Sequence, residues 1–124
     1  MPNTFYVKAV AADRNQYASC QYFTDPGCQN QVFSPLTISQ SAGSVVFQLV
    51  ATGNGWAMVG AVADRVDTPE VDPTMVPASG PSTVSVPITT TTQVTTGIVL
   101  VFSSTVVPTQ LFASSDPQVK NNGA

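Results

Sequence analysis

No long stretch of this chain repeats apolar residues at helical spacing. Short alternating or β-branched runs recur from end to end instead, which is the pattern of strands. Thr4 to Val10 sets Phe5, Val7 and Ala9 against Tyr6, Lys8 and Val10 and predicts a first strand; Tyr17 to Phe23 predicts a second. Asp25-Pro26-Gly27 then reads as a turn, with Pro pre-setting one backbone angle and Gly free to take another. A third strand is predicted over Gln31 to Ser39, interrupted at Pro35. Ser44 to Thr52 is the clearest strand. Gly53-Asn54-Gly55 predicts a tight hairpin turn after it, returning Trp56 to Val66 as the partner strand. Thr83 to Val86, Gly97 to Ser103 and Val106 to Ala113 supply the remaining strands.

Two segments break the pattern. Asp67 to Pro81 holds Pro69, Pro73, Pro77 and Pro81 with three of the seven acidic residues and reads as a loop of about fifteen residues. Ile88 to Thr96 is Thr-rich and reads as an exposed or edge strand with a polar face. The whole predicts an all-β fold: a single antiparallel β-sandwich, immunoglobulin-like, of seven to eight strands with Greek-key connections. Residues 1–119 form the domain, and the polar residues 120–124 are expected to fray as a tail.

Composition narrows the function. Of the 124 residues, 43% are hydrophobic and 9% are charged, so the polar surface must come from Thr, Ser, Gln and Asn. Four Lys and Arg residues and a net charge of −3 cannot build a phosphate-tracking stripe, which argues against nucleic acid as a partner. No apolar run reaches the roughly 18 residues of a membrane-spanning helix. Met1-Pro2-Asn3-Thr4-Phe5 lacks the basic and apolar regions of a signal peptide, so a cytoplasmic location is expected. In that compartment Cys20 and Cys28 would stay reduced. Two Cys without any His cannot complete a four-ligand zinc site, and no calcium-loop pattern is present, so no metal or other cofactor is implied.

Without His, a Ser-His-Asp or Cys-His device is excluded, and Gly53-x-Gly55 lacks the helix that a nucleotide loop needs. The chain does contain three Asp-Pro bonds, at Asp25-Pro26, Asp72-Pro73 and Asp116-Pro117. Such a bond is labile for a local reason. The Asp carboxyl can reach its own carbonyl carbon through a five-membered ring, and the proline nitrogen leaves more readily than an ordinary amide nitrogen. Asp-Pro is also an ordinary turn opener, and Asp25 and Asp72 read as that. Asp116-Pro117 differs, because it follows a strand and precedes the extended Gln118-Val119. Proline in such a run belongs on an edge or at a bulge.

Ser114-Ser115-Asp116-Pro117-Gln118-Val119-Lys120-Asn121 resembles the C-terminal signature of the DP-EP family of small bacterial proteins: a Ser-rich approach, Asp-Pro-Gln, a branched apolar residue, and Asn two residues later. Chain length, the aromatic-apolar first strand and Gly55-Trp56 fit the family in outline. The resemblance implies a β-sandwich with aspartic-peptidase-like self-cleavage, and Asp116 and Pro117 carry over as the scissile pair. The chain's own C-terminal peptide, from Pro117 to Ala124, is then the only substrate implied. An aspartic mechanism also asks for a second carboxylate. Between Met75 and Ser115 the chain has no acidic residue, which leaves Asp64, Asp67, Glu70 and Asp72. Asp67 or Asp72 is the expected second carboxylate, because a loop can fold over a strand end. Lys8 is the only lysine outside the tail that could capture an intermediate, although a strand lysine ordinarily faces water.

Two other classes of function remain. A non-catalytic binding or assembly module could recognise a polar surface, or self-associate through its sheet edges. Trp56 and Tyr22 could serve a sugar face, against the ordinary reading of such aromatics as core packing. A protease acting in trans is the weakest reading, since no paired Asp motif marks a substrate cleft.

Overall fold

The computed structural model of the chain describes residues 3–11, 17–50, 56–65, 74–88, 93–104, 111–114 and 117–123. They form an all-β fold of eleven strands: β1 (Thr4–Ala11), β2 (Tyr17–Phe23), β3 (Gln31–Val32), β4 (Leu36–Ser39), β5 (Ser44–Leu49), β6 (Trp56–Arg65), β7 (Thr74–Pro77), β8 (Thr83–Pro87), β9 (Thr95–Ser104), β10 (Leu111–Ser114) and β11 (Gln118–Gly123). The strands hydrogen-bond as one continuous sheet in the order β4-β11-β9-β10-β2-β1-β5-β8, with β6 on the other edge of β9, β7 beyond β6, and β3 beside β2. Among the described residues no helix is long and apolar enough to cross a membrane.

Two features correct the expected antiparallel arrangement of seven to eight strands. Three pairings are parallel: β1 with β5, β2 with β10, and β4 with β11. The higher strand count follows largely from proline. Pro35 separates β3 from β4 and Pro117 separates β10 from β11, because a residue without an N–H interrupts the ladder. Part of the expected Asp67 to Pro81 loop is a strand, since Thr74–Pro77 pairs with Gly60–Ala63 of β6.

The expected hairpin between Ser44–Thr52 and Trp56–Val66 is overturned as well. Gly53-Asn54-Gly55 lies outside the described residues, but β6 does not pair with β5. Both edges of β5 are taken, by β1 and β8, while β6 pairs with β7 and β9. Of the Thr-rich segment expected as an exposed or edge strand, Thr89 to Thr92 lie outside the described residues, while Thr95 and Thr96 open β9, which has strands on both sides, and Thr96 is buried. The polar tail is not a fraying end: Lys120, Asn121, Asn122 and Gly123 belong to β11, and Asn121 is only 1% exposed.

Alternation in β9 places Thr96, Ile98, Leu100, Phe102 and Ser104 on the buried face. Phe5 and Val7 of β1, Val45 and Phe47 of β5, Met58 of β6 and Val84 and Val86 of β8 join Ile98, Leu100 and Phe102 in a single buried cluster. Strands from distant parts of the sheet order share that cluster, so the sheet curls over on itself. Burying a Phe, Leu or Ile completely stabilises by about 1.5–3 kcal/mol per side chain. Phe47, Phe102, Leu36 and Ile38 are all under 2% exposed. Trp56 stacks on Phe112 at 4.3 Å and on Phe102 at 5.7 Å between ring centroids, and packs against this core. Tyr22 is buried edge-on to Phe47. Tyr22 is therefore a core side chain rather than a sugar platform.

Gly60 is required by close approach. The β6–β9 register shifts between Met58 and Gly60, and a Cβ on Gly60 would press into the Val76 carbonyl oxygen of β7. That obstacle is backbone and cannot rotate away. Gly60→Ala is expected to destabilise the protein by about 1–3 kcal/mol, read as a lower urea midpoint with an unchanged slope.

Candidate functional site

The Asp116-Pro117 bond lies in the two-residue connection, Ser115-Asp116, between Ser114 at the end of β10 and Pro117. Strands β10 and β11 share one edge of β9. The first pairs with Val101–Ser103, the second with Thr95–Gly97. The two registers are out of step by one. From Ala113↔Val101 to Gln118↔Gly97, four residues (114–117) intervene on one side and three (98–100) on the other. The register on β9 therefore differs by one residue between β10 and β11.

Such a break leaves N–H groups of β9 in need of acceptors. Two are supplied on either side of Ser115-Asp116. The buried Ser114 Oγ accepts from the Leu100 N–H at 2.8 Å, and the Pro117 carbonyl accepts from the Ile98 N–H at 2.8 Å. Pro117 is itself buried, and the next residue, Gln118, donates its N–H to Ser34 Oγ at 2.9 Å.

Beyond the bond, β11 is held along both edges. It pairs antiparallel with β9 and parallel with β4. Pro117, Val119 and Asn121 point inward at period two. Asn121 Oδ1 accepts from the Val94 N–H at 2.6 Å, and its own N–H reaches the Val94 carbonyl at 3.4 Å. The Gly123 carbonyl accepts from Gln40 N–H at 3.1 Å.

Of the residues the sequence singled out, Pro117 is placed at this junction, while Asp116, Asp67, Asp72 and Glu70 lie outside the described residues. Asp64 is described, on β6. It pairs with Gly97, which pairs with Gln118 of β11, so the three form one lateral row. Their neighbours Ala63, Ile98 and Val119 are buried, which puts the row on the outer face. Gly97 contributes no side chain between Asp64 and Gln118, and two strand spacings separate them by about 10 Å. Asp64 Oδ1 accepts from the Arg65 N–H at 2.8 Å.

Lys8 is not part of this site. It lies on β1, which pairs with β2 and β5, and its ammonium sits 5.7 Å above the Phe23 ring. Cys20 and Cys28 are both partly buried and form no disulfide. Among the described residues no group of acidic and Cys side chains could hold a metal ion.

Asp25-Pro26 is the turn opener its sequence suggested. Asp25 Oδ1 accepts from the Asn30 N–H at 2.8 Å and from the Gln29 N–H at 3.1 Å, and the Asp25 carbonyl accepts from Cys28 N–H. The Asn30 and Gln29 amides hold this carboxyl below its ordinary value of 3.8. Its carboxylate is thereby engaged away from its own carbonyl carbon.

Sequence reasoning passed over Ser114 and Asn121 as functional groups. Period two was the available signal for Asn121: Pro117, Val119 and Asn121 must share a face once the segment is a strand. Ser114 carried no such signal, because its role depends on a register break two strands wide. No known family model matches the chain, and no curated protein matches it.

Ser114→Ala would leave the buried Leu100 N–H without its hydroxyl acceptor and is expected to cost about 1–3 kcal/mol in urea unfolding. A second expectation concerns acid. Because the folded Asp25 carboxyl titrates lower than the unfolded one, its contribution to stability is present above pH 3.8 and lost as pH falls through the folded value. Asp25→Ala should therefore lower stability at neutral pH and flatten the acid limb of the stability–pH curve.

Proposed function

We propose that the protein processes itself once, at the Asp116-Pro117 bond. The observation that carries this reading is the register break at that bond, with β9 tied to Ser114 on one side and to Pro117 on the other. The resemblance of Ser114 to Asn121 to the DP-EP signature points the same way. So does the contrast with Asp25, whose carboxylate is occupied by backbone amides. The curled sheet with a single core is the scaffold on which an immunoglobulin-like sandwich, the framework the resemblance implies, is proposed.

In this reading an oxygen of the Asp116 carboxylate bonds to the Asp116 carbonyl carbon, closing a five-membered anhydride. The C–N bond to Pro117 breaks, and the proline nitrogen leaves as an amine after taking a proton from an acid. Water then opens the anhydride and returns two carboxyl groups to Asp116. Proximity supplies the nucleophile and a second carboxyl supplies the proton, for which Asp67 and Asp72 are the proposed donors. The product Pro117–Ala124 would stay docked, since β11 is held by β9 and β4 and not by β10.

Intact mass under denaturing conditions tests this, on fresh protein and after days at mildly acidic and neutral pH. The expected result is loss of the eight residues from Pro117 to Ala124, with Asp25-Pro26 uncut and Asp116→Ala intact. Asp67→Asn or Asp72→Asn should slow the cut. A single full-length mass throughout sinks the reading. A binding module is the second reading, favoured by one observation. Phe33, 73% exposed, flanks a shallow apolar groove of about 550 Å³ with Val32, Pro35 and Leu36.

A further inference from the structure

The contacts of the last strand form a self-contained set. Among the described residues β11 pairs with β4 and β9 and does not pair with β10, the strand that precedes it in the chain. The segment sits between β4 and β9 as a bound peptide would, with main-chain bonds on both edges and alternate side chains turned inward. Its inward positions read Pro-x-Val-x-Asn. Val119 and Asn121 are each 1% exposed, and the Asn121 side chain accepts from the Val94 N–H while its backbone N–H donates to the Val94 carbonyl.

The receiving side is equally specific. Leu36 and Ile38 of β4 are buried, yet among the described residues β4 pairs with no strand except β11. A strand whose pairings are to β4 and β9, and not to the strand before it, can be supplied by any chain that carries the segment, and each copy of this protein carries it. Exchange between two copies restores every bond in both, so association has only its entropy to overcome.

We infer that the groove between β4 and β9 is a strand-acceptor site for an extended peptide with Pro-x-Val-x-Asn inward, and that its occupant in trans is the C-terminal segment of a second copy of this chain. The inference concerns the uncut chain, since a cut at Asp116-Pro117 would leave nothing to link two copies; intact mass of both partners before mixing shows that they are uncut.

The test uses full-length Asn121→Ala, whose own strand no longer satisfies Val94, and a labelled synthetic peptide spanning Pro117 to Ala124. Full-length Val119→Ala is the second acceptor, in case the first does not fold; folding of each is checked by circular dichroism. The folded acceptor is expected to bind the wild-type peptide one-to-one, at least about tenfold more tightly than wild-type protein does. A peptide carrying Asn121→Ala should bind that acceptor at least about tenfold more weakly than the wild-type peptide. Mixing the acceptor with unmodified full-length protein should give a mixed dimer in sedimentation, displaced by excess peptide. The proposal is overturned if neither acceptor captures the peptide, if both peptides bind equally, or if the peptide binds but no mixed dimer forms at any concentration.

Discussion

Hydrogen bonding along one edge of β9 is the constraint on which the C-terminal third of this molecule turns. The opposite edge is covered by one strand, β6, from Trp56 to Arg65, with a register shift between Met58 and Gly60. The near edge must be covered by a chain that carries a proline partway along and so cannot offer an unbroken ladder. The solution is a change of partner. β10 covers the far end, β11 the near end, and the Ser114 hydroxyl and the Pro117 carbonyl satisfy the amides of Leu100 and Ile98 between them. The same break sends the two strands to different neighbours, β10 to β2 and β11 to β4. It thereby joins the two arms of the sheet around one core.

Much of the strand content was legible locally. Period-two alternation located β1, β2 and β8 to within a residue or so, and Pro35 marked the division between β3 and β4. Pairing was not legible, because it is decided by surfaces distant in sequence. Ser44–Leu49 and Trp56–Arg65 carry the hallmarks of a hairpin, yet the inward Val45 and Phe47 lie beside β1 and β8, while Met58, Ala61 and Ala63 lie beside β9. The three parallel pairings escaped for the same reason: nothing in a strand's own residues states the direction of its neighbour. Lys120, Asn121 and Asn122 misled in another way. Their polarity suggests a tail, whereas Asn121 is buried because it satisfies a backbone amide there.

The candidate site shows how one dipeptide takes different roles. At Asp25-Pro26 a short turn brings two amides onto the carboxylate, which stabilises the charged form and fixes the side chain as a cap. On either side of Asp116 the described residues, Ser114 and Pro117, accept from the amides of Leu100 and Ile98 on β9. The same dipeptide thus stands in two settings, one bonded by its adjoining backbone and one flanked by bonds to a strand across the sheet.

The parallel pairings also order events in time. β2 and β4 receive β10 and β11 only after all the strands between them in sequence have been made. Contacts so far apart in sequence form slowly, because the loop between them must close before they stabilise anything. A nascent chain that has not yet reached β11 presents Leu36 and Ile38 to solvent beside an unfilled slot. Arrival of β11, rather than emergence of any single hairpin, is thus the step that covers β4, and chemistry that needs the closed sheet cannot begin before it.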